Sequence, residues 1–142
     1  MQVVTGPLDY LTDWAAKRLR GVEGFDNPAA IGICRNNKLT AVAVYTGLIT
    51  WEGGGNCEIS FAADNPRWAT RQALSVVLGT PFRVFGCSRI TALIRKSHKR
   101  SRKLVEGIGF KREGAIRKGA PDGSTLIVYG LLREDFEEGK YG

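Results

Sequence analysis

The chain has 142 residues, enough for one domain with a single core that needs no metal or disulfide staple. Its 43% hydrophobic and 25% charged content is ordinary for a globular protein, and no apolar run approaches the roughly 18 to 20 residues of a membrane-spanning helix. The net charge of +7 is lopsided: ten of the 21 Lys and Arg fall between positions 95 and 118, against Glu106 and Glu113 alone. Glu134, Asp135, Glu137 and Glu138 crowd the C-terminal end instead. The opening MQVVTGPLDY has neither the basic nor the apolar region of a secretion signal. Cys34, Cys57 and Cys87, odd in number and without CxxC spacing, read as buried thiols of a reducing cytoplasm and not as a zinc site.

Leu11, Trp14, Ala15 and Leu19 recur near helical spacing, which predicts a helix over 9–20 with Asp9 as its N-cap. Residues 21–28 are a Gly/Asn/Pro connector. Residues 30–34 and 39–49 read as strands joined through the turn Arg35-Asn36-Asn37-Lys38. Glu52-Gly53-Gly54-Gly55-Asn56 is the next turn; it lacks the GxxxxGK[ST] frame of a phosphate loop. Strand 57–63 follows, then a helix over about 68–78, broken near Gly79-Thr80-Pro81, with 82–85 extending its apolar face. Strand 89–95, helix 98–109, strand 111–118, a turn at Pro121-Asp122-Gly123 and strand 125–133 complete the chain. Trp14, Trp51 and Trp68 read as core or rim packing. With no repeat and no linker, the order describes one α+β domain over 1–142.

The segment SHKRSRKLVEGIGFKREG, residues 97–114, is the most informative. Leu104 and Ile108, spaced i, i+4, share one helix face, with Ser101 a turn earlier. Gly109 suits the C′ position, where a positive φ costs glycine little. Lys96, Lys99, Arg100, Arg102 and Lys103 gather at the helix start, where first-turn amides also lack partners, and that suits a polyanion. Coenzyme A and nucleic acid both satisfy this charge. The patch lacks the interleaved aromatics of a nucleic-acid surface, so nucleic acid ranks last.

The same residues resemble the GCN5-related N-acetyltransferases, particularly their ribosomal-protein-acetylating branch. Those proteins often read strand, Asn-x-x-Ser, a helix ending in leucine-Gly-Phe, then Glu-Gly-x-x-Arg. Here strand 89–94, His98-Lys99-Arg100-Ser101, Ile108-Gly109-Phe110, Glu113-Gly114-Ala115-Ile116-Arg117 and strand 127–132 follow in step. The resemblance covers residues 56–133 well and the first half loosely. It implies a central, mostly antiparallel mixed sheet flanked by helices, with a splay between the fourth and fifth strands. It further implies acetyl-CoA as cofactor and an amine acceptor on a protein N-terminus, a lysine or a small molecule. A resemblance to small acetyltransferase-like proteins of tailed phages, which share Arg67-Trp68-x-x-Arg71, extends this to a host-cytoplasm setting. It also allows a homodimer, and a virion-associated part that keeps the fold without the chemistry.

The resemblance also assigns sites. Phe61, Ala62 and Ala63 would offer backbone groups to pantetheine. The phosphate loop of those proteins is glycine-rich, because close backbone approach needs free amides. This chain has Asp64-Asn65-Pro66-Arg67-Trp68-Ala69-Thr70-Arg71, with either Arg67 or Trp68 at the glycine place. Arg67, Thr70 and Arg71 would then replace amide contacts with side-chain contacts. Glu58 stands where a strand glutamate can relieve the attacking amine of its proton. Ser101 can protonate the leaving thiolate. His98 replaces the asparagine beside the pantetheine arm, and Arg102 adds charge there. The helix tyrosine used as an acid elsewhere in the family is Val105 here, so the resemblance leaves the acid unassigned.

Overall fold

Alternating burial along 54–63, with Cys57 and Ile59 inside on one face and Ala62 inside on the other, marks a strand covered on both sides. It is the fourth strand of a seven-stranded sheet. The computed structural model describes residues 1–19 and 21–142. The elements are β1 (Gln2–Val4), α1 (Leu8–Arg18), β2 (Ala29–Arg35), β3 (Lys38–Trp51), β4 (Gly54–Ala63), α2 (Arg71–Arg83), β5 (Arg89–Arg95), α3 (Lys99–Gly107), β6 (Lys111–Ile116), β7 (Leu126–Leu132) and α4 (Arg133–Glu138). The sheet order is β1-β2-β3-β4-β5-β7-β6, antiparallel throughout except at β4–β5. This is the α+β arrangement expected from the sequence.

Two cores lie on opposite faces. Leu11 and Ala15 of α1 close over Ala30, Val42, Val44 and Ala62. On the other face the larger core joins α2, α3 and α4 to the sheet through Leu74, Val77, Leu78, Val105, Ile108 and Phe136. The turns follow local chemistry. Asn36 and Asn37 both take positive φ, 52° and 62°, as a two-residue hairpin connection requires, and asparagine tolerates it best after glycine. Gly109 sits at φ +112° after α3, with Phe110 N–H bonded to Val105 O at 2.9 Å and Gly109 N–H to Glu106 O at 3.3 Å. That double bond pattern is the Schellman closure, and it drives Phe110 into the core.

Several boundaries differ from the sequence reading. The cap of α1 is Pro7, not Asp9; Asp9 lies in the first turn, where a negative charge meets the helix dipole. The predicted end at Arg20 lies outside the described residues. The hairpin turn is Glu52-Gly53 alone, because Trp51 already pairs with Gly54. Helix α2 starts at Arg71, not Trp68, and runs through Pro81 to Arg83. Proline cannot donate to the Val77 carbonyl, but the buried Tyr45 hydroxyl does so at 2.7 Å, and the helix survives. The acidic C-terminal end forms α4, where the sequence suggested only charge. Cys57 and Cys87 are buried as expected, whereas Cys34 is half-buried.

Candidate functional site

Parallel pairing of β4 with β5 spans only Asn56↔Arg89, Cys57↔Ile90 and Glu58↔Thr91. Beyond that row β4 stays on β3 as far as Ala63, and β5 stays on β7 as far as Arg95. The facing edges of 59–63 and 92–95 therefore have no strand partner, and a strand edge directs alternate N–H and C=O groups outward. The result is an open wedge. Phe61, Ala62 and Ala63 lie along its β4 edge. Phe61 packs on the buried Trp68 with ring centroids 5.5 Å apart.

At the mouth of the wedge the chain turns from β4 into α2 through a short 3-10 turn, Pro66–Trp68. Its amides are spoken for. Arg67 N–H bonds Asn65 Oδ1 at 2.8 Å, Trp68 N–H the Asn65 carbonyl, Ala69 N–H the Pro66 carbonyl and Thr70 N–H the Trp68 carbonyl. The Thr70 hydroxyl caps α2 by accepting from Ala73 N–H at 3.2 Å. Only the first-turn amides of Arg71 and Gln72 keep no acceptor among the described residues. Cations surround them: Arg35 reaches the Thr70 hydroxyl at 3.4 Å, and Arg71 donates to the Lys140 carbonyl at 2.9 Å. Arg18 clamps Asp64 at 2.6 Å, and that hydrogen bond holds the Asp64 carboxyl below its usual range.

Across the wedge, β5 turns into α3. His98 is its N-cap but makes no side-chain cap bond; its Nε2 lies 3.3 Å from Ser101 Oγ. His98, Lys99, Arg100 and Lys103 are exposed. Arg102 is drawn inward: its Nε donates to the Tyr129 hydroxyl at 3.1 Å and its Nη1 to the Lys96 carbonyl at 2.7 Å. Tyr129, fully buried in β7, donates in turn to Glu106 at 2.5 Å. This bridge ties α3 to the sheet, and the sequence reading missed it. Its one signal was a tyrosine among aliphatic residues in a strand bound for the core. Val105 is buried between, where it packs and donates nothing.

Glu58 occupies the last paired row, half-buried, on the face that α1 covers further along. Opposite it, β3 bulges between Thr46 and Ile49, and Gly47 takes φ +62°. A Cβ on Gly47 would stand 3.0 Å from Glu58 Oε2, so the bulge glycine opens the seat of the carboxylate. Nearby on the same face, Thr91 donates to Asn56 Oδ1 at 2.7 Å, Arg89 donates to the same oxygen at 3.2 Å, and Arg89 pairs with Glu113 at 2.7 Å. Gly130 leaves room for that Glu113 carboxylate. No group of three His, Cys, Asp or Glu able to hold a metal occurs among the described residues, and none of their helices is long and apolar enough to cross a membrane.

The fold is that of the GCN5-related N-acetyltransferases. The ribosomal-protein-S5-alanine acetyltransferase of Vibrio fischeri superposes with a TM-score of 0.64 at 19% identity. The match covers 76% of this chain and 63% of that one, so this chain spans less than two thirds of that enzyme's length. RimJ of Mycobacterium smegmatis, solved in complex with CoA-disulfide, matches at TM-score 0.76 and 14% identity over 98% of this chain and 85% of its own. A chimera of the Vibrio cholerae spermidine N-acetyltransferase SpeG with hSSAT matches at 0.79 and 12%, over 97% and 100%. By sequence, neither a family model nor a curated protein matches.

Proposed function

We propose that the protein is an acetyl-CoA-dependent N-acetyltransferase that acts by direct attack of an amine. The observation that carries this reading is the wedge opening immediately beyond the Glu58–Thr91 row, in a fold shared with acetyltransferases of which one was solved with a coenzyme A derivative. The residues fit such a cofactor. The free edge at Phe61, Ala62 and Ala63 suits the amides of a pantetheine arm. The Arg71 and Gln72 amides with the Arg67 and Arg71 guanidinium groups suit its phosphates, and Trp68, Ala69 and Thr70 shape that turn. His98, Ser101 and the α3 cations face the other side.

When bound, acetyl-CoA supplies an activated thioester. Glu58 takes a proton from the acceptor's ammonium group, since only the free base attacks. The new bond would be N–C and the broken one C–S; the second proton that nitrogen sheds on becoming an amide would reach the departing sulfur through the Ser101 hydroxyl or water, so that Ser101 regains the proton it gives. Glu58 thus acts as base and Ser101, oriented by His98 Nε2, as acid. The free thiols fit a reducing compartment.

A second reading is a part that keeps the fold without catalysis, such as a virion component. The closed 67–70 turn and Val105 in place of a tyrosine favour it. Calorimetric titration separates the two. Micromolar binding of acetyl-CoA and of free coenzyme A supports the enzyme; no heat at millimolar ligand supports the second reading.

A further inference from the structure

The bridge between α3 and β7 also sets α3 beside the outer strand of the sheet. Arg102 and Glu106 both reach Tyr129, and Arg112 stands directly opposite Tyr129 in the register. Opposed residues share a face, so β6 borders this flank of α3. Lys103 follows Arg102 on the helix and is exposed. All of β6 is exposed, and so are Arg117 and Lys118 in the turn beyond it. Arg117 lies two residues past Ala115, whose partner Ile127 is buried in the core that α3 closes. Strand alternation therefore brings Arg117 to the face that carries Arg112.

Lys103, Arg112, Arg117 and Lys118 make no ion pair among the described residues. The nearby carboxylates are engaged elsewhere: Glu106 accepts from Tyr129, Glu113 pairs with Arg89, Asp122 with Arg95 and Asp135 with Lys111. Like charges gathered in this way repel one another and build a positive potential that an anion relieves. Cations on an edge strand also hinder unwanted strand pairing, but that role asks nothing of α3. The wedge does not need them either. With β7 between, β6 lies two strand spacings, about 10 Å, beyond β5.

The side chains present narrow the partner. Ile116, the large exposed apolar residue of β6, pairs with Leu126 and so belongs to the opposite face from Ile127. This flank thus offers no apolar anchor of the kind that dominates protein–protein interfaces. It also offers no exposed aromatic on which unpaired bases could stack, which counts against a single strand. A duplex keeps its bases stacked inside and presents phosphates, which cations alone can hold. We infer that β6, the turn after it and the adjoining flank of α3 dock the phosphate backbone of a nucleic-acid duplex. This surface is separate from the cofactor's, and the inference stands independently of the transferase reading.

The test is fluorescence anisotropy of the full chain with labelled RNA and DNA duplexes of one sequence, about 16 base pairs long, the span of a double-stranded-RNA module. Coenzyme A is present at millimolar concentration throughout. Binding of either duplex is expected, and the tighter one identifies the sugar. With four phosphate contacts, log affinity should fall against log salt with a slope of about −3 to −4. Arg112→Glu combined with Arg117→Glu should weaken binding about tenfold or more and flatten the slope by about 2, with coenzyme A affinity unchanged. Lys17→Glu combined with Lys38→Glu makes the same change of net charge at exposed positions on α1 and β3 and should bind as wild type does. Absence of duplex binding, unchanged affinity in the Arg112 and Arg117 pair, or an equal loss in the Lys17 and Lys38 pair overturns the inference. Displacement of the duplex by coenzyme A also overturns it, since one site would then serve both. So does tighter binding to polyglutamate or to anionic lipid vesicles, because the partner would then be an acidic protein or a membrane.

Discussion

At the end of β4 the chain enters α2 with four successive amides hydrogen-bonded and Thr70 as cap. At the end of β5 it enters α3 with no side-chain cap and with His98, Lys99, Arg100 and Lys103 exposed. Both turns border one wedge. The first has converted its backbone donors into local structure, so it holds its shape without glycine but offers fewer amides to an anion. The second also keeps only two first-turn amides, those of Arg100 and Ser101, since Lys99 N–H bonds the Ser97 carbonyl at 3.0 Å, but its cations stay exposed. Under the proposed function, a turn without glycine would shift phosphate recognition from backbone amides to side chains, those of α3 included.

The largest effect should come from the row between the two turns. Glu58→Gln should lower acetyl-CoA turnover by about 10² to 10⁴ with little change in coenzyme A affinity, and activity should recover partly at high pH, where more amine is neutral. Turnover across a panel of amines from pH 6 to 10 measures this; an unaltered rate removes Glu58 as the base. Next, Arg71→Ala should weaken coenzyme A by about tenfold, the scale of a charge-assisted hydrogen bond, without moving the apo melting temperature. Replacing Lys99 and Arg100 together by alanine should weaken it at least as much. If calorimetry finds the α3 pair silent, the contrast between the turns is wrong.

Stability should respond in the opposite sense. Gly109→Val forces a β-branched residue to positive φ and should cost about 1 to 3 kcal/mol in denaturant unfolding. Thr70→Ala removes a cap and should cost about 1 kcal/mol while leaving coenzyme A binding intact. A large loss of affinity in Thr70→Ala would give that hydroxyl a ligand role beyond capping. The smallest effect concerns the thiols. Burial pushes Cys57 up to about 12 and raises Cys87 as well. A raised thiol pKa contributes stability in full below the unfolded value of 9.0, and that contribution fades as pH climbs toward the folded value. Unfolding midpoints should therefore fall between pH 9 and 11, and iodoacetamide at pH 8 should label Cys34 before the other two.

Much of this was legible before any coordinates. The strand expected over 89–95 stands at those bounds as β5, because strand formation there is read from local residues. Gly109 announced its own conformation. Glu58 and Ser101 were singled out by the family resemblance, not by spacing alone. Other features depended on distant partners. Pro81 reads as a helix breaker until Tyr45, 36 residues earlier in β3, supplies the missing donor. The inward turn of Arg102 could not be separated from the exposed cations around it, since only Tyr129 and Glu106 distinguish it.

By itself the sequence determined the order of elements from α1 to β7, the turns that need asparagine or glycine, and the uneven charge, because each depends on residues a few positions apart. Only the tertiary structure decided where β4 and β5 part, that Gly47 makes room for the Glu58 carboxylate, and that the 67–70 amides are consumed. Those features arise where strands far apart in sequence meet or fail to meet, and sheet register is set by packing of whole faces, not by any one segment.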